Sequence, residues 1–287
     1  MYGYNNPYSK YIYDFNQKKC YINFKSIYII LRKGKYMRIS NIPAKEAMEF
    51  IKKEPIAMIA IGSVEYHGAQ APLGTDYIIP DYIVKELSKR DDILALPPIP
   101  YGNCQSIKDF PGTINIGTEN LIRVLNSITE SLIKHGVKKF IFVNGHGGNI
   151  SALDQVGLDT FEKGGIVATI DWWNLAKLLN SDYDGGHGDI QETSVAMAVD
   201  ENSVNLSYCE PLIINNLSKE ITNKYISLHS YKNGTIKVMR DFKSVVPHGW
   251  IGPYDPKNST KELGERILKD VIEYIGDFIE DFKKVER

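Results

Sequence analysis

The sequence has no apolar run of the roughly 18–20 residues that a membrane-spanning helix needs, which argues against a helical membrane protein. It has only three cysteines, Cys20, Cys104 and Cys209, without a Cys-x-x-Cys pair. Such sparse cysteines argue against a disulfide framework and a thiolate zinc site. Cys104 lies in a polar loop and could be a pocket residue, but we favour a small packing residue and assign it no role. No internal repeat or low-complexity linker is present. We expect a cytoplasmic globular protein without a membrane partner.

Basic residues are scarce over most of the chain. Residues 37–287 carry 27 Lys and Arg against 34 Asp and Glu, whereas residues 1–36 carry seven Lys and Arg against the single Asp14. Binding to a phosphate backbone depends on a basic surface, which the larger part of the chain lacks. We therefore expect no nucleic-acid partner.

Residues 1–36 form a candidate N-terminal extension outside the fold. They contain eight of the 18 tyrosines and show no clear period, while a regular pattern begins at Met37. Three interpretations stay open: a disordered or loosely docked tail, a stretch translated upstream of a start at Met37, and a functional arm. A signal peptide is disfavoured, because Tyr28 interrupts the short apolar run and no small-residue cleavage site follows it. We expect residues 37–287 to form a single domain.

Short apolar strands alternate with helices along that domain. Strands are predicted at residues 56–61, 93–96, 140–143 and 166–170. Helices are predicted at 44–54, at 80–90, at 118–136 with Thr118 as N-cap, from Ser151, from Glu192 and near the C-terminus. The alternation predicts an α/β fold with a mostly parallel, twisted sheet and helices on both faces. Ligand sites in such sheets lie beyond the carboxyl ends of the strands.

The first predicted strand leads into a possible metal-binding motif. Glu65 and His67 lie at i and i+2, on the same side of an extended segment, and Asp76 follows a loop that turns the chain back. Two carboxylates and an imidazole without thiolate suit Zn²⁺, Mn²⁺ or Fe²⁺. Taken alone, this motif is explained equally well by ordinary loop residues.

A second motif, Asn144-Gly-His-Gly-Gly-Asn149, places His146 directly after a buried strand. The glycines permit close approach of the backbone to an ion or a substrate. The alternative is a tight turn with a solvent-facing histidine. Beside the first motif, the metal interpretation is favoured.

A third glycine-rich segment, Gly185-Gly-His-Gly-Asp-Ile-Gln-Glu-Thr-Ser194, contributes His187 and Glu192. Alone, Glu192 would be explained as a favourable charge at a helix N-terminus, and His187 as a surface residue of a glycine loop. Beside the two other segments, Glu192 is favoured as a further metal ligand.

Together with Phe110-Pro-Gly-Thr113, the three segments resemble the creatininase (creatinine amidohydrolase) family from about Arg38 to the last predicted helix. The resemblance implies a creatininase-like three-layer fold and a metal-dependent amidohydrolase acting on C–N bonds other than peptide bonds. It also implies two divalent metal ions per subunit, Zn, Mn or Fe, and a homo-oligomer. A non-catalytic binding or assembly protein that keeps a metal for stability is the alternative of another class.

The resemblance also implies roles for individual residues. Asp76 would bridge two ions, with Glu65 and His146 on one ion and His67 on the other, and His187 would be the acid/base histidine, with a pKa near the usual value of about 6.5. Enzymes acting on creatinine resemble Gly-His-Tyr-Glu-Asn at the second motif. This chain has Gly148 in place of that carboxylate, and Glu192 is the expected replacement.

The substrate is expected to be a small molecule with a cyclic or formylated amide. A formylaminopyrimidine nucleotide deformylase of riboflavin or deazaflavin biosynthesis is the alternative, with Lys108, Arg240 and Lys243 as candidates for phosphate binding. Candidate substrate-binding residues are Gly147, Gly148, Trp172 and Trp173. For the tryptophans, stacking on a flat substrate and packing in the core stay equal alternatives.

Overall fold

The computed structural model describes residues 37–286. The predictions made for residues 1–36 therefore lie outside the described residues. Within residues 37–286, no helix is both long and apolar enough to cross a membrane.

A parallel sheet of four strands forms the centre of the fold, in the order β2-β1-β3-β4. The strands are β1 (Ile56–Ile61), β2 (Ile93–Ala95), β3 (Lys139–Asn144) and β4 (Ile166–Asp171). They are short and rich in β-branched and aromatic residues, which suit a sheet buried on both faces. The predicted fold class is confirmed.

Helices cover both faces of this sheet. One face packs against α1 (Ala44–Ile51), α3 (Thr118–Ile133) and α4 (Ile150–Glu162). The other face packs against α2 (Thr75–Leu87), α5 (Trp172–Leu179), α6 (Ile190–Val199) and α8 (Lys261–Phe282). The short helix α7 (Phe242–Val245) belongs to a third, smaller core.

Strand β1 shows how the sequence divides the two main cores. Met58 and Ala60 contribute to the core on the α8 side, whereas Ile59 and Ile61 contribute to the core on the α3 side. This alternation is the two-residue period of a strand whose two faces are both buried. Each fully buried isoleucine contributes about 1.5–3 kcal/mol through removal of apolar surface from water.

The apolar face of the last helix is also used inside the subunit. Ile267, Val271, Ile275 and Ile279 of α8 are fully buried and belong to the same core as Met58. Their spacing is that of one helix face. This repeat is therefore explained by intramolecular packing.

A small antiparallel sheet, with strands β5 (Ile221–Asn223), β6 (Leu228–Tyr231) and β7 (Gly234–Lys237), was not predicted from the sequence. Its strands are three or four residues long and mix polar with apolar side chains, so they lack a readable period. Ile226, in the turn between β5 and β6, is buried in the third core beside Phe110 and Phe242.

Four predicted helix starts are wrong, among them that of the helix predicted from Ser151, which begins one residue earlier, at Ile150. Helix α2 begins at Thr75 instead of Pro80, so Pro80 lies inside it and cannot donate a hydrogen bond to the Asp76 carbonyl. Helix α3 has Gly117 as N-cap, with φ of 76°, and Thr118 is its first residue. Helix α6 starts at Ile190, and Asp189 is the N-cap because its carboxylate accepts a hydrogen bond from the Gln191 amide.

Candidate metal centre

The carboxyl ends of β1 and β3 bring the first two motifs together. The two strands are adjacent, with Ile61 paired to Asn144, so the loops that follow them leave the sheet side by side. Asp76 reaches the same place from the first turn of α2. Gly62 and Gly145 lie against its backbone carbonyl, and a Cβ atom at either would come within 2.2 Å of that oxygen. These two glycines allow three segments to meet closely.

Asp76 lies between two imidazoles. Its Oδ1 is 2.8 Å from His67 Nε2, and its Oδ2 is 3.0 Å from His146 Nδ1. Ser63 also donates its hydroxyl to Oδ2 at 2.7 Å. The side chain of Asp76 is almost fully buried. Its carboxylate therefore connects two neighbouring groups of potential ligands.

We call the group formed by Glu65, His146 and Asp76 Oδ2 half-site 1. Glu65 Oε1 lies 3.2 Å from His146 Nδ1. The second oxygen of this carboxylate, Oε2, is buried and has no hydrogen-bond partner within the described part of the chain. A buried carboxylate oxygen without a donor is costly, which is the situation that a bound cation resolves.

We call the group formed by His67, Glu192 and Asp76 Oδ1 half-site 2. Glu192 Oε2 lies 3.5 Å from His67 Nε2 and also accepts a hydrogen bond from the Gly188 amide at 2.6 Å. Glu192 stands in the first turn of α6 and is buried. All five predicted metal ligands therefore converge, and whether they bind metal stays a prediction.

Backbone carbonyls orient the imidazoles of the two half-sites. His67 Nδ1 lies 3.1 Å from the Glu65 carbonyl, and His146 Nε2 lies 2.9 Å from the Asn103 carbonyl. Because a carbonyl only accepts, each of these ring nitrogens is the donor. The other nitrogen of each ring faces carboxylate oxygens, which is the usual orientation of metal-binding histidines.

The spacing of the ligand atoms fits divalent metal ions. Ligands about 2.1 Å from one ion lie about 3.0–3.4 Å apart at tetrahedral or octahedral angles. The nitrogen-to-oxygen distances of the two half-sites run from 2.8 to 3.5 Å. Nitrogen and carboxylate donors in this arrangement suit Zn, Mn or Fe.

The close spacing of these ionisable groups also shifts their pKa values in the metal-free protein. Burial lowers the pKa of His67, but the carboxylates of Asp76 and Glu192 outweigh burial and raise it to about 10. Burial likewise opposes the charge on His146, yet Glu65 and Asp76 raise its pKa well above the usual value. Burial raises the pKa of Glu192 to about 8 against the opposing charge of His67. Without metal, protons take the place of cations between these groups.

His187 lies beside both half-sites. Its Nε2 donates to the Tyr66 carbonyl at 2.7 Å, and its Nδ1 lies 3.7 Å from Glu65 Oε1. The ring packs against His67 and Phe242, with centroids 4.2 and 4.8 Å away. Burial, followed by the charge of His67, lowers the pKa of His187 to about 4. The expectation of a pKa near 6.5 is therefore wrong, because the ring is buried next to another imidazole.

The creatininase family model, described as creatinine amidohydrolase, matches residues 40–279. The chain belongs to the creatininase family. The match spans the sheet, both half-sites and almost all of α8, so it covers every element described above that carries a predicted ligand. The family resemblance identified from the motifs is confirmed.

Relatives of this creatininase family member differ in their described activities. It is 28% identical over 233 residues to a mycofactocin precursor peptide peptidase of Mycolicibacterium smegmatis, covering 78% of this chain and 84% of that protein. It is 25% identical over 177 residues to a creatinine amidohydrolase of Pseudomonas putida, covering 53% and 66%. It is 31% identical over 157 residues to a 2-amino-5-formylamino-6-ribosylaminopyrimidin-4(3H)-one 5'-monophosphate deformylase of Methanobrevibacter ruminantium, covering 52% and 62%. The chain is thus similar to hydrolases with different substrates.

Solved creatininase structures share the fold of this family member. A Zn-Zn type creatininase mutant superposes with a TM-score of 0.67 at 20% identity, covering 86% of this chain and 99% of that one. A creatininase described as Mn gives the same TM-score, identity and coverage. At this identity the likeness establishes the three-layer fold.

The predicted substrate-binding residues lie in different surroundings in this creatininase family member. Trp172 is 1% exposed and packs in the core beneath α8, so its ring faces are not available for stacking on a substrate. Trp173 is partly exposed beside that core, and its substrate role stays a prediction. A Cβ atom at Gly147 would have open space around it. At Gly148 it would come within 2.4 Å of His146 Nε2 and of the Asn103 carbonyl oxygen.

Sequence reasoning missed two residues beside the centre of this creatininase family member. Cys104 is fully buried and lies close to Glu65 and His146. Tyr225, from the turn between β5 and β6, is partly exposed, yet burial of its hydroxyl and the nearby charge of Glu192 raise the pKa of that hydroxyl. Neither residue belongs to a local motif, and long-range folding places both. The one available sequence signal for Cys104 was the run of prolines just ahead of it, Pro97, Pro98 and Pro100, which is typical of a loop at a functional rim.

Proposed function

We propose that this creatininase family member hydrolyses an amide-type C–N bond by means of two divalent metal ions and a water nucleophile. The observation that carries the proposal is the shared carboxylate of Asp76, whose two oxygens face His67 and His146 at 2.8 and 3.0 Å. Each imidazole has a second carboxylate of its own, Glu192 or Glu65. Two adjacent sites with one common ligand are the arrangement expected for two-metal hydrolysis.

Zn, Mn or Fe ions held in the two half-sites would supply a water of lowered pKa and Lewis-acid polarisation of the scissile carbonyl. The protein's own part is to fix the ligands before the substrate arrives. The carbonyls of Glu65 and Asn103 keep the two imidazoles turned towards the carboxylates. Burial of the ligands excludes bulk water and strengthens the electrostatic attraction between their charges and an ion.

His187 is proposed to accept a proton from the water nucleophile and to donate it to the leaving nitrogen. Burial lowers the pKa of this ring, so it is neutral near pH 7, and the hydrogen bond of Nε2 to the Tyr66 carbonyl leaves the lone pair on Nδ1. Nδ1 faces the centre, so it can accept a proton there and pass it to the leaving nitrogen. A protonated ring in these surroundings is a stronger acid than a free imidazole, which favours that transfer.

Replacement of His187 by Gln tests the hydrolase proposal. We expect kcat to fall by about 10²–10⁴-fold, the usual contribution of general acid–base catalysis, with the metal content unchanged. His248→Gln is the matched control, because His248 pairs with Glu210 outside the two half-sites. Unchanged turnover in the His187 variant would exclude an acid/base role for His187. A metal-loaded wild type that cleaves no amide of a broad panel would favour the non-catalytic alternative.

A small cyclic or formylated amide is the proposed substrate, and the panel therefore contains creatinine and a formylaminopyrimidine nucleotide. It also contains short peptides, because the peptidase relative covers more of this chain than the two other relatives described above. Hydrolysis of peptides alone would overturn the small-substrate part of the proposal.

The proposed homo-oligomer is tested on the same purified protein, by light scattering during gel filtration.

The nucleotide deformylase is the second candidate because one cation contacts the group of aromatic rings that packs against His187. Lys243 Nζ lies 5.6 Å from the centroid of the Phe110 ring, which stacks on Tyr66, the residue whose carbonyl binds His187. Arg240 is engaged with the carbonyls of Asn215 and Ser244 instead. If a substrate phosphate binds Lys243, Lys243→Gln raises KM for the nucleotide and leaves KM for creatinine unchanged. Equal KM values in variant and wild type would count against this candidate.

A further inference from the structure

The strongest additional feature of the centre is a buried thiol. The Sγ atom of Cys104, a carboxylate oxygen of Glu65 and a ring nitrogen of His146 all lie within 4.8 Å of one another. Cys104 is fully buried, and the other two residues are at most 8% exposed. The cluster therefore has a sulfur, an oxygen and a nitrogen donor at the edge of half-site 1.

The backbone holds Cys104 in this position and ties it to a ligand. The amide of Cys104 donates to Asn115 Oδ1 at 2.9 Å. The carbonyl of the preceding residue, Asn103, accepts the hydrogen bond that orients the His146 ring. The segment that turns His146 towards the carboxylates is thus the same segment that delivers the thiol.

A second observation favours a cation at this cluster. Glu65 Oε2 is buried and has no hydrogen-bond partner within the described part of the chain, although Glu65 is only 2% exposed. The carboxylate therefore has unused acceptor capacity beside the sulfur. A cation bound by both groups would satisfy it.

We propose that the thiolate of Cys104 is a fourth protein ligand of the ion in half-site 1, an inference that rests on the proposed two-metal centre. Half-site 1 would then offer one sulfur, one nitrogen and two carboxylate oxygens, which complete a tetrahedral zinc site, so the water nucleophile would be held on the side of half-site 2, whose three protein ligands leave a position open. As the sulfur binds the ion, the thiol proton is released to solvent. Half-site 2 contains His67, Asp76 and Glu192 and has no sulfur.

The thiolate would give the two ions different chemistry. Sulfur donors favour Zn²⁺, Co²⁺ and Fe²⁺ over Mn²⁺ and Mg²⁺, whereas imidazole and carboxylate donors alone discriminate less. Half-site 1 would select the softer ion, and half-site 2 would accept either kind. The structural alternative is that Cys104 is a small apolar residue packed beside Ile107 and Phe110 in the third core.

X-ray absorption on the zinc-loaded wild type tests the proposal without any substitution. With both half-sites filled, we expect a zinc–sulfur distance of about 2.3 Å, with one sulfur for every two zinc ions. A spectrum with nitrogen and oxygen neighbours alone, from protein that binds two zinc ions and hydrolyses an amide, would overturn the sulfur ligand and leave the proposed function standing. Wild-type protein that binds no metal would overturn both.

Cobalt substitution extends the test to variants. We expect thiolate-to-cobalt charge-transfer absorption in the wild type, and its loss in Cys104→Ser and Cys104→Ala. Cys209→Ser is the matched control, because Cys209 is also buried but belongs to none of the clusters of potential metal ligands in the described part of the chain. Retention of the absorption in both Cys104 variants would contradict the proposal.

Metal competition gives a second readout. Cys104→Ser should lower the preference of the protein for Zn²⁺ over Mn²⁺ by at least about tenfold at one of the two sites and leave the other unchanged. Titration of the metal-free protein with each ion against a chelator measures both affinities. An unchanged preference would show that Cys104 does not bind the ion.

Discussion

Half-site 1 and half-site 2 share Asp76 but are built from different parts of the fold. In half-site 1, Glu65 and His146 follow the adjacent strands β1 and β3, so the register of the sheet sets their separation. In half-site 2, His67 meets Glu192, which stands in the first turn of α6. The strand ends place predicted ligands together as a direct result of the fold, whereas the position of the Glu192 carboxylate depends on how helix α6 begins.

The largest effect is expected from a substitution that weakens both half-sites at once. Asp76→Asn takes the shared negative charge from His67 and His146, so both ions should bind more weakly and kcat should fall by about 10³-fold. Asp81→Asn is the control, since Asp81 lies on the same helix but pairs with Arg38. Metal analysis and turnover measure the result, and an Asp76→Asn protein with two tightly bound ions would refute the shared role.

Glu192→Gln should separate the half-sites. It removes the helix-borne carboxylate while the ligands of half-site 1 stay in place, so metal content should fall from two ions to one, and kcat by about 10²-fold. Glu201→Gln is the control, because Glu201 lies just after α6 and pairs with exposed Lys261. Loss of both ions together would mean that the half-sites are not independent.

Gly148→Ala should weaken half-site 1 by a smaller amount. The added Cβ would meet His146 Nε2 and the Asn103 carbonyl oxygen, disturbing the hydrogen bond that orients the ring. We expect about 10–100-fold weaker metal binding in half-site 1, the usual cost of losing such support. Gly147→Ala makes the same chemical change in open space and should bind metal like the wild type. Equal affinities in the two variants would contradict this account.

The most gradual effect is expected from pH. The metal-free centre holds protons on His67, whose pKa is raised to about 10, and on Glu192, whose pKa is raised to about 8. A metal ion must displace them, so below pH 8 the affinity should rise with pH, by about tenfold per pH unit for each proton displaced. Chelator competition between pH 6 and pH 8 measures this. Affinity that is independent of pH would contradict the raised pKa values.

Much of the fold could be predicted because its signals are local. The four parallel strands are short apolar runs, and the predicted ligands Glu65 and His146 come shortly after two of them. The start of α2 could not be predicted in this way. Proline favours the first turn of a helix, but Pro80 lies five residues inside α2, because close contacts of Gly62 and Gly145 fix the chain around Asp76.

The remaining features of the centre depend on contacts between distant segments. The place of Cys104 follows from the Asn103 carbonyl bonding to His146, and the place of Tyr225 follows from a small sheet whose turn is buried through Ile226. Neither contact leaves a period or a motif in the sequence. The lowered pKa of His187 likewise depends on the burial of its ring and on its packing against His67.

The tight space at Gly148 has an evolutionary consequence. A change from Gly148 to Glu in this chain would disturb His146 before the new carboxylate could bind a metal, and a change that removes Glu192 would lose a ligand before another could replace it. We expect each substitution to be harmful while the other position is unchanged, which is epistasis between neighbouring groups. In this chain, replacing the Glu192 carboxylate by one at position 148 would therefore require Gly148, Glu192 and the Asn103 loop to change together.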